Sequence, residues 1–141
     1  MKRCRFDLVS EPGVARTGIV YGGKVYETDG ANPVGVHEWT EARLLAPVGQ
    51  PSSIRLFPYA SDERFRYLNP GAVIGPHASV LAGIGGRLSC LPCLAAVVAG
   101  GGAVVPVSEA DGLVLGLTVA TVFYQHEAVA NDLFSLPAPA F

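Results

Sequence analysis

The chain has 141 residues, of which 50% are hydrophobic and only 16% are charged, and its formal net charge is −2. This length suits one domain with a hydrophobic core, and the weak negative charge excludes the basic surface that nucleic-acid binding requires. The charged fraction is below the roughly 25% of an average soluble domain. The sequence therefore predicts apolar surface that a second copy or a larger protein complex covers.

The first part of the chain predicts a small β subdomain. The alternating residues 3–9 are typical of a strand. Gly22 and Gly23 stand between two β-rich runs, residues 17–21 and 24–27, which is the signal of a two-residue hairpin. Short strands joined by a tight turn are therefore expected here.

The next segments combine a short helix, a short strand and a loop. Residues 37–45 predict one or two helical turns, and residues 51–59 predict a short strand after a turn. Residues 60–80 predict a loop, with turns at two dipeptides of proline and glycine that begin at Pro70 and Gly75.

The second half predicts strands that are buried. Residues 87–102 form an apolar run that ends in three glycines, and residues 103–125 restart with Val-Val, which together favour two buried strands joined by a hairpin. Residues 108–111 predict the capped first turn of a short helix, and residues 112–125 are β-branched and aromatic enough for another strand. The last segment, residues 134–141, contains two prolines and is expected to be extended or disordered.

No segment predicts a signal peptide or a transmembrane helix. The basic start, residues 1–10, lacks the apolar stretch of a signal peptide. The most apolar window, residues 88–107, contains two prolines and three consecutive glycines, which a spanning helix of about 20 residues does not tolerate. Three cysteines are an odd number, so the sequence favours a reducing, cytoplasmic location. Association with a membrane complex stays open.

Cys90 and Cys93 have the spacing of redox and metal-binding CxxC pairs. The flanking residues favour a strand, in which positions three apart point to opposite faces. The favoured interpretation is therefore two small buried hydrophobic residues, and a thiol role is the weaker alternative. A zinc site needs about four ligands. The further ligands would have to come from His77 and from His126 or Cys4, and the spacing does not bring them together.

Two histidines have an acidic neighbour, at His37-Glu38 and at His126-Glu127. Adjacent residues of a strand face opposite ways, so neither pair forms a ready acid–base dyad. We expect both pairs to be solvated surface side chains.

Several segments, taken in order, resemble the fumarylacetoacetate hydrolase (FAH) superfamily. The small N-terminal domain of its bacterial members is similar to RTGIVYGGKVYETDG followed by EARLLAPVGQPSSI. A loop near the family's substrate is similar to YLNPGAVIGPHASV. The stretch that carries the family's metal ligands is similar to RLSCLPCLAAVVAGGGAVVPVSEADGLVLGLTVAT. The resemblance covers most of residues 3–122.

The resemblance implies a mainly β or α+β fold, in which a small N-terminal β-hairpin subdomain precedes a rolled mixed β-sheet. It assigns residues 1–50 to the subdomain, residues 51–130 to a partial β-roll and residues 131–141 to an extended or disordered tail. The second half of the family's catalytic domain is expected to be missing.

The metal site of the family is expected to be lost. In the family, two Glu residues of one strand and a later Asp hold Mg²⁺ or Mn²⁺, which prefer oxygen ligands. The resemblance places Leu91, Cys93 and Val122 at these three positions. No cofactor is therefore expected, and Mg²⁺, Mn²⁺ or, more weakly, Zn²⁺ remain the alternatives.

The leading functional hypothesis is a non-catalytic scaffold or accessory subunit of a homo-oligomer or larger complex. The alternative is a hydrolase or decarboxylase of small 2-oxo or β-dicarbonyl acids that keeps residual activity or is completed by a partner chain. Its candidate catalytic residues are His77, Glu127 and Asp132, of which His77 lies in the segment that resembles the substrate loop.

Charged and aromatic residues alternate in residues 60–67, which are interpreted either as an interface or as a solvated loop. Arg and Tyr are frequent anchors of protein–protein interfaces. The interface candidates are Arg64, Phe65, Arg66 and Tyr67.

Overall fold

The computed structural model describes residues 2–57, 65–81, 88–100 and 104–125. Antiparallel strands dominate, so the mainly β class predicted from the sequence is confirmed. The chain divides into two compact units, of which unit 1 comprises Met1–Ile54 and Asn69–Val80, and unit 2 comprises Arg55–Leu68 and Leu81–Phe141.

The described elements are nine strands, one short α-helix and three 3₁₀ turns. The strands are β1 (Lys2–Leu8), β2 (Glu11–Tyr21), β3 (Lys24–Asp29), β4 (Asn32–Glu38), β5 (Ala42–Leu45), β6 (Ile54–Leu56), β7 (Arg66–Leu68), β8 (Leu88–Val98) and β9 (Val114–Gln125). The α-helix is α1 (Val107–Ala110), and the 3₁₀ turns are Trp39–Glu41, Pro70–Ala72 and Asp111–Leu113.

Unit 1 is built on a five-stranded antiparallel sheet in the order β4-β3-β2-β1-β5. The predicted hairpin is confirmed between β2 and β3, where Gly22 (φ 58°) and Gly23 (φ 77°) both adopt the left-handed conformation of a two-residue hairpin turn. Among the described residues, the buried apolar core consists of Phe6, Val25 and Ala46.

Gly18 lets this sheet close around Phe6. A Cβ atom at residue 18 would lie 2.6 Å from the carbonyl oxygen of Tyr26 and 3.1 Å from the ring of Phe6. No side chain fits in that space, so the glycine allows β2 to approach both its neighbour and the core.

The predicted helical turns over residues 37–45 are wrong except at Trp39–Glu41, which is a single 3₁₀ turn. The residues that follow form β5, which pairs with β1 and brings Leu44 opposite Phe6. Pairing with a distant strand overrides the local helical pattern. The capping box between Glu38 and Glu41 is formed, but it stabilises only the 3₁₀ turn.

Apart from Ile54, the first residue of β6, two separate strand pairs lie in unit 2, β6-β7 and β8-β9. The predicted strands are confirmed as β6, β8 and β9, and the predicted helical turn near residue 108 is α1. The predicted N-cap is wrong, because Pro106 occupies the cap position and no side chain caps α1. The strand that was predicted to restart at Val-Val does not begin there, because Val104 is 90% exposed and α1 follows it. The partner of β8 is β9, which begins at Val114.

The prediction that these strands are buried is also wrong. Along β8, exposed residues alternate with half-buried ones, and no residue of β8 or β9 with described burial belongs to the buried core. The sequence identified the apolar composition, but two strands alone cannot cover their own faces. In the described part of the chain, no helix is long and apolar enough to cross a membrane.

Truncation of Phe6 tests whether this small core supports unit 1. The Phe6 side chain is fully buried, so Phe6→Ala is expected to lower the free energy of unfolding by about 3–5 kcal/mol. Urea denaturation followed by circular dichroism measures this loss. The matched control is Tyr21→Ala, whose side chain is 72% exposed and should change the stability by less than about 0.5 kcal/mol. Equal effects of both substitutions would contradict the assignment of the core.

Candidate functional site

The most apolar exposed surface of the described residues is one face of the β8-β9 pair. Residues of β8 at every second position share this face with their partners on β9, because directly paired residues of antiparallel strands point the same way. We call this surface the hairpin face, and its members are Cys90, Pro92, Leu94, Ala96, Val98, Val114, Leu117, Val119, Thr121 and Phe123.

Exposure on the hairpin face is high for such large side chains. Leu94 is 74% exposed and lies opposite Val119, which is 78% exposed. Leu117, next to them on β9, is 67% exposed. Neither strand contains a charged residue. A contiguous apolar surface of this kind marks a place where another surface binds.

The opposite face of β8-β9 holds the three positions at which the resemblance expects metal ligands. Leu91 and Val122 are direct cross-strand partners, and Cys93 follows Leu91 at a distance of two residues on the same face. All three side chains are half-buried. Two hydrocarbons and one thiol do not fit Mg²⁺ or Mn²⁺, which bind hard oxygen ligands.

The two cysteines of the CxxC motif lie in a strand, as expected, and point to opposite faces. Cys90 is exposed on the hairpin face, so the prediction that both are buried is wrong for this residue, whereas Cys93 is half-buried. Burial raises the pKa of the Cys93 thiol, which disfavours the reactive thiolate. Cys4, the third cysteine, lies on β1 in unit 1, and its pKa is raised by burial as well.

A second exposed cluster lies on the β6-β7 pair. We call it the aromatic cluster, and it consists of Arg55, Phe57, Phe65 and Tyr67. The ring of Phe65 lies 5.5 Å from that of Phe57 and 5.1 Å from that of Tyr67. The guanidinium of Arg55 lies 4.8 Å from the centre of the Phe65 ring, within cation–π distance.

The aromatic cluster contains two of the four predicted interface residues. Phe65 and Tyr67 are exposed, as an interface requires, whereas Arg66 between them is half-buried, and Arg64 lies outside the described residues. Arg55 and Phe57 were not predicted. Their spacing of two residues along a short strand was the available signal, because such residues share a face.

Sequence analysis also missed a hydrogen-bonded network of charged side chains in unit 1. We call it the relay, and it consists of Glu11, Arg16, Glu27 and His37. Glu27 accepts a hydrogen bond from Arg16 at 2.8 Å and is bonded to Nε2 of His37, also at 2.8 Å. An ionised carboxylate only accepts, so Nε2 of His37 donates. Arg16 also pairs with Glu11. The expectation that His37 is solvated is wrong, because only 19% of its side chain is exposed.

The relay fixes the charge of Glu27. The hydrogen bond from His37, followed by the bond from Arg16, lowers the pKa of the Glu27 carboxyl. His37 also lies against the core, with its ring 5.7 Å from that of Phe6. The arrangement therefore joins β2, β3 and β4 to the core side chain of Phe6.

An open groove of about 450 Å³ lies beside His37. Its lining residues are Leu8, Val9, Ser10, His37, Thr40 and Glu41. Hydroxyl, imidazole and carboxylate groups are all present, but His37 and Glu41 form hydrogen bonds within the fold, to Glu27 and to the backbone of Glu38 respectively.

The predicted catalytic residues are not brought together by the described structure. His77 lies in an exposed turn after the 3₁₀ turn Pro70–Ala72, and Glu127 and Asp132 lie outside the described residues, as does His126. Within the described ranges, no group of three or more His, Cys, Asp or Glu side chains could hold a metal ion.

Comparison with known proteins adds no relative. No protein-family model, no curated protein and no solved structure matches the chain.

Acidification tests the buried carboxylate that holds β1 to β5. Asp7 is 1% exposed and accepts hydrogen bonds from Nε of Arg43 at 2.9 Å and from the backbone N–H of Gly13 at 2.8 Å. The bonds from Arg43, then that from Gly13, lower the pKa of Asp7. A carboxyl whose pKa is lowered by folding contributes stability above its unfolded pKa, and this contribution is lost as the pH falls through the folded value.

The expected result is a urea denaturation midpoint that falls steadily below about pH 4. Asp7→Asn should have a lower midpoint at neutral pH and a shallower fall on acidification, because the Arg43 guanidinium has then lost its charged partner at every pH. Asp29→Asn, at the exposed end of β3, is the control and should follow the native protein. Parallel curves for the native protein and Asp7→Asn would refute this role of Asp7.

Proposed function

We propose that the protein is a non-catalytic scaffold or accessory subunit that works as an assembly of identical copies, with the hairpin face covered by a second copy of the chain. The observation that carries the proposal is the exposure of this face, where Leu94, Leu117 and Val119 are each at least two-thirds exposed. Each apolar Å² removed from water contributes about 25 cal/mol, so leaving the face open is costly.

The strand pair β8-β9 needs this cover for its own stability. An isolated two-stranded hairpin is at best marginally stable in water, and it becomes stable when more strands or another surface pack on it. The apolar residues in the described core, Phe6, Val25 and Ala46, all belong to unit 1. A partner surface would supply the core that the described part of unit 2 lacks.

The chemistry of the hairpin face favours a second copy as the occupant. A partner of opposite charge would be recognised by charged side chains, and β8 and β9 carry none. Interfaces between identical subunits are more apolar than other interfaces, and a two-fold axis places the same surface on both sides. With a net charge of only −2 per chain, repulsion between copies is weak.

The size of the face sets its role in such a dimer. A standard interface uses about 20–30 residues on each side, whereas the hairpin face contains the ten residues named above. We therefore place it at the apolar centre of the interface, where Leu94 and its partner Val119 would be the main anchors.

An FAH-like fold for this scaffold is part of the proposal. The order of the sequence motifs supports it, and so does the register that makes Leu91 and Val122 neighbours, with Cys93 beside them on one face. Three neighbouring side chains are the arrangement that a lost metal site would leave. Their hydrocarbon and thiol chemistry gives the proposal its non-catalytic character. A cytoplasmic location, suited to three free cysteines, belongs to the proposal as well.

Light scattering coupled to size-exclusion chromatography tests the assembly. The native chain, of 14.7 kDa, should elute with twice this mass. Val119→Asp places a charge at the centre of the hairpin face and should weaken the dimer at least about tenfold, a change of about 1.4 kcal/mol. Circular dichroism of the variant checks that it is folded.

The matched control is Val34→Asp on β4, a valine that is 60% exposed in unit 1, which should leave the dimer intact. A native chain that remains monomeric and binds no apolar dye would overturn the proposed assembly. Turnover of a 2-oxo or β-dicarbonyl acid with added Mg²⁺ or Mn²⁺ would overturn its non-catalytic character, and stoichiometric zinc in elemental analysis would favour a metal role for Cys90 and Cys93.

A further inference from the structure

The outer edge of β9 is a row of backbone groups without a described partner strand. β8 and β9 form a two-stranded sheet, so each of them is paired along one edge. In the part of the chain that the structure describes, no strand pairs with the other edge of β9. An unpaired edge presents N–H and C=O groups that can bind a further strand.

β9 differs from the other described edge strands because it lacks the residues that protect an open edge. Proteins protect such edges with proline, which donates no hydrogen bond, and with charged side chains. Each of the other described edge strands contains at least one such residue, namely Pro33 in β4, Arg43 in β5, Arg55 in β6, Arg66 in β7 and Pro92 in β8. β9 is 12 residues long and contains neither a proline nor a charged residue.

Four residues of β9 on the hairpin face direct their backbone groups to the open edge. Pro92 has no N–H and lies opposite Thr121. Proline is tolerated in a paired strand where its nitrogen faces away from the partner strand. Opposed residues of an antiparallel pair direct their backbone groups either toward each other or away from each other, so the N–H of Thr121 points outward as well. The period of two then gives the same direction to Leu117, Val119 and Phe123.

We propose that the outer edge of β9 pairs in antiparallel orientation with the same edge of another copy, which joins two β8-β9 pairs into a four-stranded sheet. The inference rests on the proposed function, because its partner is again a second copy of the chain. A two-fold axis at Ala120 generates such a pair from one strand. Val119 of one copy would then lie opposite Thr121 of the other, and each pair of outward-facing residues would exchange two N–H···O bonds.

The chemistry of the edge favours a second copy as its occupant. β9 carries no charge, so it neither repels an identical strand nor selects an oppositely charged one. The pairing also ends by itself after one step. The outer strands of the four-stranded sheet would be the two copies of β8, whose open edges are interrupted at Pro92. Edge pairing of this chain therefore closes instead of growing into a fibre.

Edge pairing and the packing of hairpin faces are compatible and differ in strength. The two-fold axis of the edge contact is perpendicular to the sheet, so both hairpin faces lie on one side and still need their cover. Two four-stranded sheets that pack through these faces form a tetramer. The edge contact gains mainly hydrogen bonds that replace bonds to water, whereas the face contact buries apolar side chains. The dimer should therefore persist on dilution, and the tetramer should form only at higher concentration.

Analytical ultracentrifugation of the full chain over a series of concentrations tests the edge contact. The mass should rise from twice to four times 14.7 kDa as the concentration increases. Thr121→Pro removes one outward N–H on each side of the axis and should weaken the tetramer at least about tenfold while the dimer remains. The matched control is Thr121→Val, which keeps the N–H and should form the tetramer as the native chain does.

Amide hydrogen exchange measured by nuclear magnetic resonance locates the contact independently of these variants. The amides of Leu117, Val119 and Phe123 should exchange more slowly in the tetramer than in the dilute dimer. Equal protection at every concentration would overturn the proposal, since the edge would then be covered without a second dimer. A native chain that remains dimeric at every concentration would also overturn it, and would leave the proposed function intact.

Leu94→Asp separates this inference from the proposed function. The substitution places a charge on the hairpin face but lies on β8, away from the open edge of β9. This variant should be monomeric when dilute and should form edge-paired dimers at high concentration. A native chain with the same behaviour would overturn the proposed packing of hairpin faces and support the edge contact.

Discussion

The carboxylate of Asp7 is the constraint around which unit 1 is arranged. It is almost completely buried, so its charge must be matched by hydrogen bonds and by an opposite charge. The Arg43 guanidinium comes from β5, directly opposite Asp7, and the Gly13 amide comes from the neighbouring strand β2. The Asp7 side chain thus ties together three strands, while the preceding residue of β1, Phe6, fills the core on the other face.

Unit 2 has no comparable centre among its described residues. Its longest strands, β8 and β9, pair with each other over their full length, so the backbone groups on the shared edge are hydrogen-bonded between them. What is missing is cover for the side chains, because Leu94, Leu117 and Val119 remain open to water. Described strands that leave so much apolar surface open to water are suited to pack against another surface. The scaffold proposal follows from this imbalance between the two units.

The residues that sequence analysis identified correctly are those whose environment is set by neighbours along the chain. Gly22 and Gly23 define a turn from their own conformational freedom, and the turn then fixes the pairing of β2 with β3. Phe65 and Tyr67 were recognised from composition and are indeed exposed. The strand assignment of Cys90 and Cys93 likewise rests on local composition.

The residues that sequence analysis missed are those whose neighbours are set by the register between strands. Arg16 could have been placed beside Glu27, since the β2-β3 hairpin makes Gly18 the partner of Glu27 and Arg16 lies two residues away on the same face. The position of His37 could not be predicted in this way. It lies beside Glu27 because of the register between β3 and β4, which shifts at an irregularity between Glu27 and Thr28. No local signal encodes that shift.

By itself, the sequence determined a mainly β chain with a tight hairpin, long uncharged strands and an excess of apolar residues, because these properties follow from composition and from a period of two residues. Only the tertiary structure decided which apolar residues are buried and which charges meet. In LSCLPCLAAVV the alternation is equally compatible with a buried strand and with an open one. Burial depends on what packs against the strand, and in β8 the described structure leaves Leu94 exposed and Leu91 half-buried beside Val122.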